Sequence, residues 1–296
     1  MSNRRNTASS SRNNVDRLVH RQVPQESTAE VEIMSGGRTG DSIPSTTSPS
    51  SVSQVTNLDR LIESISPLVP SRDSLEATSS GADSHPFFCL QDLWESLKEC
   101  SMYGVGVPLR LKEDIVQYYI PYLSGIQLYR SSSSQTPFFQ YMEYEKPYNR
   151  QPLTDKIFDL ASRYPELNSY RSCDLLETSW LSIAWYPICR IPIGPKIEAS
   201  FLSFYSLSTQ STGTSAPHLA GANGGTVYDP IEKKFVLPVF GLLPYKLEDF
   251  ILNPIGPHEL AQENSLVQAV DNWLGYLNVP LPDYHFFRPR HNSYRR

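Results

Sequence analysis

Apolar positions recur along this chain at intervals that change from segment to segment, and the intervals predict its elements. Leu58, Leu61, Ile62 and Ile65 fall at helical spacing. Thr56 or Asn57 can cap that run and Pro67 stops it. A helix of about ten residues is marginal alone, so this one is expected to dock on the domain or on a partner. Leu90, Leu93, Trp94 and Leu97 form the i, i+3, i+4, i+7 stripe of a helix over 89–103, ended by Gly104. Residues 115–130, rich in Tyr, Ile, Val and Leu, read as a strand in which Pro121 demands an edge or a bulge. Residues 138–145 read as its hairpin partner. Alternation sets Phe138, Gln140, Met142 and Tyr144 on one face and Phe139, Tyr141, Glu143 and Glu145 on the other.

Downstream, a helix is predicted over 153–164, with Thr154 at its start, Ile157, Leu160 and Ala161 inward and Pro165 closing it. Strands over 180–191 and 199–207 flank the turn-rich PIGPK as an antiparallel pair, and a low-complexity loop covers 208–226. A strand over 235–247 precedes the last helix, 258–277, where Leu260, Val267, Val270, Leu274 and Leu277 share a stripe and Pro280 ends the run. This order lacks regular βαβ alternation. The expected fold is therefore α+β, an antiparallel sheet of about five strands packed with about three helices.

Composition adds a boundary. All 17 Tyr, 12 Phe and 4 Trp lie after residue 84, the first being Phe87. The preceding stretch of Ser, Thr, Asn, Arg, Gly and Pro cannot offset backbone ordering entropy of about 1–2 kcal/mol per residue. The predicted organisation is a disordered Ser/Arg-rich tail (1–55), the docking helix (56–70), a polar linker (71–84), one α+β domain (85–287) and a basic C-terminal tail (288–296).

A net charge of -5 and a pI near 5.7 argue against nucleic acid as the main partner. Four cysteines and no Asn-x-Ser/Thr sequon suit a reducing compartment. No run of about 18 apolar residues occurs and the N-terminus lacks a secretory apolar region, so no membrane span is expected. The opening residues, rich in Arg and Ser with Asp16 as the one acid up to Arg21, loosely resemble an organelle transit peptide, although an ordinary tail is the simpler reading. Cytoplasm or nucleus is expected ahead of chloroplast or mitochondrion.

The stretches NLDRLIESISPLVP (57–70), LQDLWESLKECSMYGVGVPL (90–109), VQYYIPYLSGIQLY (116–129), QPLTDKIFDLA (151–161), SWLSIAWYPICRIPIGP (179–195), FLSFYSLS (201–208) and VDNWLGYLNVPLPDYHFF (270–287) resemble the plant Domain of Unknown Function 789 family, in the family's order. The resemblance implies a soluble intracellular plant protein in which the segment near Asn57 belongs to the shared unit. It carries no catalytic residues over. The polar stretch between Pro70 and Phe87 is shorter here than is usual for that family.

His258-Glu259-Leu260-Ala261-Gln262 has Gln262 where a zinc-protease helix needs its second imidazole, so a first helical turn with an acid at its positive end is the better reading. Cys89 and Cys100 are too far apart for one ion, Cys173 and Cys189 lack C-x-x-C spacing, and packed thiols are expected. Residues 221–225 (GANGG) lack the strand and helix of a phosphate loop, and His218 beside serines lacks an orienting acid. Glu143 with Glu145, and Asp174, Glu177 and Asp229, read as exposed carboxylates. Arg288, Arg290, Arg295 and Arg296 beside Phe287 and Tyr294 have an RNA-binding composition, set against a solvated tail. Arg4-Arg5-Asn6-Thr7 and Ser48-Pro49 are candidate phosphorylation sites.

Trp185, Tyr186 and Arg190, with Tyr118 and Tyr205 on neighbouring predicted strands, are the candidate binding residues, core packing being the competing role for such rings. No catalytic residue, metal or cofactor is assigned. The leading expectation is a noncatalytic binding or scaffold protein with a protein partner. A hydrolase-like enzyme with a site assembled from distant residues comes second, and RNA association third.

Overall fold

Thr56 caps helix α1 (Asn57–Ile65) because its hydroxyl accepts the Asp59 N–H at 3.0 Å while the Asp59 carboxylate accepts the Thr56 N–H at 3.0 Å. The computed structural model describes residues 55–72, 86–110, 114–130, 136–188, 199–210, 226–246 and 257–294. Leu58, Leu61 and Ile65 are buried, and the Asn57 amide clamps both backbone groups of Arg110, at 2.8 and 2.9 Å. Leu58, Leu61 and Ile65 pack into the core of the domain itself.

The larger sheet is antiparallel throughout. Its strands are β2 (Val105–Arg110), β3 (Asp114–Leu128), β4 (Phe139–Met142), β5 (Trp180–Ile188), β6 (Ser200–Ser206) and β9 (Val239–Tyr245), in the order β2-β3-β5-β6-β9 with β4 also paired to β3. Strand β3 is shared. Its residues 114–119 pair with β2 and 125–128 with β4, so 120–124 have a strand partner on the β5 side alone. Pro121 lies in that gap and the register shifts between Leu123 and Gly125, which is how a proline fits inside a 15-residue strand. A small sheet of β1 (Leu68–Pro70), β7 (Val227–Asp229) and β8 (Lys234–Val236), ordered β1-β8-β7, lies beside it.

Alternation along β5 and β6 feeds two cores, one on each face. Ile183, Trp185, Phe201 and Tyr205 join the stripes of α1, α2 (Leu90–Ser96) and α4 (Leu153–Arg163) on the first face. Trp180, Ala184, Leu202 and Phe204 join α5 (Pro257–Leu277) and α6 (Pro282–Tyr294) on the second. Helix α5 crosses β9 so closely that a Cβ on Gly241 would come within 2.6 Å of Val270 Cγ2.

Several expectations change in detail. The helix expected over 89–103 is two, α2 and α3 (Lys98–Tyr103), meeting at Leu97, and Gly104 ends the second with φ 76°. The strand expected over 235–247 divides between the sheets as β8 and β9, because β8 pairs with β1 and β7 rather than with β6. Strand β2 is concealed in the sequence by Gly106 and Pro108, tolerable at a sheet edge. The expected basic tail from residue 288 is instead the end of α6, whose weak apolar periodicity and internal Pro289 hide it. The tail expected over 1–55 lies, apart from Val55, outside the described residues, as do 73–84 of the linker and 211–225 of the loop.

Leu61→Ala is expected to lower the unfolding free energy by about 2–5 kcal/mol in urea titrations. The exposed neighbour Glu63→Ala should stay within about 0.5 kcal/mol. A Leu61→Ala loss no larger than that of Glu63→Ala would show that α1 is not part of the cooperative unit.

Candidate functional site

Beyond β4 the chain folds back on itself before entering α4. The Glu145 N–H donates to Glu143 Oε1 at 2.9 Å, a 3-10 turn covers Pro147–Asn149, and Arg150 Nε donates to the Glu145 carbonyl at 2.8 Å. The rest of the Arg150 guanidinium reaches across to the first turn of α6, donating to both oxygens of Asp283 at 2.8 and 2.6 Å. Both side chains are nearly sealed from water, 4% and 7% exposed. Above this pair lies a cavity of about 380 Å³, walled by Tyr144, Pro147, Tyr148, Tyr186, Pro282 and Phe286.

Every charge on the floor is answered locally. Burial works against the Arg150 charge, but the hydrogen bonds and charge of Asp283 outweigh it and raise the guanidinium above its ordinary value. Glu143, expected from the sequence as an exposed carboxylate, is instead buried where the chain turns after β4, and burial alone would raise its carboxyl as well. The Glu145 N–H, the Tyr141 hydroxyl at 2.9 Å and the Lys156 ammonium at 3.4 Å outweigh burial, and hold it below the usual carboxylate range. Burial and then the Asp283 charge push the Tyr186 hydroxyl up, so it stays a neutral donor. The rim differs from the floor: Tyr144, Tyr148 and Phe286 are 75%, 78% and 43% exposed.

The binding residues expected from sequence separate onto different faces. Trp185 and Tyr205 are fully buried in the first core, where Trp185 Nε1 donates to Ser203 Oγ at 2.8 Å, Ser203 donates to the Tyr205 hydroxyl at 2.9 Å, and Tyr205 donates to the Ile65 carbonyl at 2.9 Å. Tyr186, next along β5, points the opposite way and lines the cavity. Tyr118 is half-buried on β3, paired with Gly106 and Ile188, and does not line it. Arg190 lies outside the described residues.

Sequence reasoning missed Tyr144, Tyr148, Arg150, Asp283 and Phe286 as a group. The stretch YEKPYNR has the aromatic, proline and arginine composition that drew attention to WYPICRIP, and that was the available signal. Asp283 stands 133 positions from Arg150, so nothing in local spacing connects them.

The remaining motifs take structural roles. His258 and Glu259 open α5, and Gln262 donates to Asp59 of α1 at 3.1 Å. The Cys100 thiol is pushed up to about 12 by burial, Cys89 and Cys173 are raised by the same cause, and Cys189 lies outside the described residues. Asp174 pairs with Arg171, and Asp229 accepts two backbone N–H groups of its turn. Arg288 is tied to Asp271, and Arg290 stacks on Phe286 at 3.7 Å. His218 and residues 221–225 lie outside the described residues, among which no cluster of three potential metal ligands occurs and no helix is long and apolar enough to cross a membrane.

The family model described as "Protein of unknown function (DUF789)" matches residues 56–137 and 130–287. No curated protein and no solved structure matches the chain.

Removing one partner of the floor pair, by Arg150→Ala or Asp283→Ala, strands a buried charge and is expected to cost about 3–5 kcal/mol in chemical denaturation. The double variant Arg150→Met/Asp283→Leu should recover most of that loss. Glu143 supplies a pH dependence: its folded pKa is depressed, so its contribution is full above the ordinary value of 4.5 and disappears as pH falls through the lower folded value. The stability gap between the native chain and Glu143→Gln should therefore be widest near pH 7 and close on acidification below 4.5. A gap that widens in acid would contradict this assignment.

Proposed function

We propose that this chain, which belongs to the DUF789 family of proteins of unknown function, is a noncatalytic binding protein whose ligand seats in the cavity between residues 143–150 and α6. The observation that carries the reading is the contrast between floor and rim. Arg150, Asp283 and Glu143 are committed to one another and to their neighbours, so they serve as a rigid base and not as proton donors or acceptors for a reaction. Tyr144 and Tyr148 stand largely in water and Phe286, under the Arg290 guanidinium, partly so, an arrangement that resembles the aromatic anchors found at binding hot spots.

The partner is a protein, and the acidic net charge favours that over nucleic acid. Free thiols at Cys89, Cys100 and Cys173 suit a reducing compartment, the cytoplasm or nucleus. Residues 1–55 carry regulation of the domain, through phosphorylation at Thr7 of Arg4-Arg5-Asn6-Thr7 and at Ser48 before Pro49.

Full-length protein and the double variant Tyr148→Ala/Phe286→Ala, compared in affinity capture at physiological salt, test this. The expected result is a set of partners retained by the native chain and lost with the variant, with unchanged thermal unfolding. Partners held equally by both would remove the cavity from the function, and a capture with no specific partner would remove the binding role.

A further inference from the structure

We propose that the cavity receives a proline-rich segment of a partner protein in the polyproline II conformation. This rests on the binding reading above and adds the chemistry of the ligand. The first reason is the surface offered. Tyr144, Tyr148, Tyr186 and Phe286 line it together with Pro147 and Pro282. Stacked aromatic and proline rings form the kind of groove into which proline side chains fit.

The second reason is hydrogen-bond complementarity. Among the described residues, the hydroxyls of Tyr144, Tyr148 and Tyr186 and the Lys146 ammonium have no hydrogen-bond partner, so the cavity is lined by available donors. A proline-rich backbone is the matching opposite: it has carbonyl acceptors, no N–H at each proline, and no internal hydrogen bonds. A helical ligand already uses its carbonyls internally and would leave these donors unanswered.

Charge and shape exclude the other ligand classes. Arg150 is neutralised by Asp283 and Glu143 by Lys156, while the exposed Glu145 and Lys146 are adjacent and cancel. A cationic ligand gains no attraction there, and Arg290, stacked on the Phe286 ring at 3.7 Å, brings a single guanidinium to the rim in place of the arginine cluster that phosphate recognition uses. A small molecule needs about 70–90% of its surface enclosed, whereas the rim rings of Tyr144 and Tyr148 stand 75% and 78% in water. An extended chain crossing the opening suits that rim. Because polyproline II is already ordered, little conformational entropy is lost when it meets walls held by the buried ion pair.

The test is anisotropy titration of the full chain against a labelled peptide of about ten prolines, with a Gly/Ser peptide of equal length as control. Saturable binding of the proline peptide alone is expected. Tyr148→Ala and Tyr144→Ala should each weaken it about tenfold, and Tyr148→Phe, which removes just the donor, should weaken it less. Raising salt from about 0.05 to about 0.5 M should change the affinity less than about twofold, since a proline peptide carries no side-chain charge to be screened. Equal binding of the Gly/Ser peptide, no saturable binding, or indifference to Tyr148→Ala each overturns the proposal. Failure of the peptide while the capture experiment still loses partners with Tyr148→Ala/Phe286→Ala would sink the polyproline assignment and leave the binding role standing.

Discussion

Strands β5 and β6 are buried on both faces over most of their length, and the rest of the molecule is arranged around that constraint. A strand with helices on either side has no solvent face, so the polar groups it carries are driven to find internal partners, although the buried Ser182 hydroxyl of β5 has none among the described residues. The chain from Trp185 through Ser203 and Tyr205 to the Ile65 carbonyl satisfies those groups on one side and ties the end of α1 to the sheet. On the other side Gln127 accepts from Trp180 Nε1 at 3.0 Å and from the Tyr129 hydroxyl at 3.1 Å. Full burial of each large side chain in these layers contributes about 1.5–3 kcal/mol, so the two cores together have the means to hold a helix as short as α1 in place.

The cavity sits where the second core meets the turn after β4. Asp283 enters from α6, Arg150 from the approach to α4 and Tyr186 from β5, so three distant parts of the chain meet at the cavity, two of them joined by the ion pair. A buried pair of this kind is weak as a source of stability but strong as a constraint on geometry, because separating its members exposes an unanswered charge. Here it sets the distance between the turn carrying Tyr144 and Tyr148 and the helix carrying Phe286. Rigid placement of exposed rings is what a recognition surface requires.

Legibility in the sequence followed periodicity. The stripe Leu58, Leu61, Ile65 and its stop at Pro67 could be read directly, because a short amphipathic helix with a cap is a local pattern. So could the β3–β4 hairpin and the β5–β6 pair. Strand β2 and helix α6 could not, since Gly106, Pro108 and Pro289 contradict local preference and are accommodated by an edge position and by packing on β9. Of the rings chosen as binding candidates, Trp185 and Tyr186 could not share a site, for neighbours on a strand face opposite ways.

By itself the sequence determined the α+β class, the antiparallel pairings of its strongest strands and the amphipathic stripe of α1, because each follows from spacing within about ten to fifteen residues. Tertiary structure alone decided which of the two faces each aromatic ring serves, how β8 and β9 part into separate sheets, and that Arg150 meets Asp283. Those outcomes depend on pairings between residues far apart along the chain, where closure of the fold brings groups together and no local pattern records the contact.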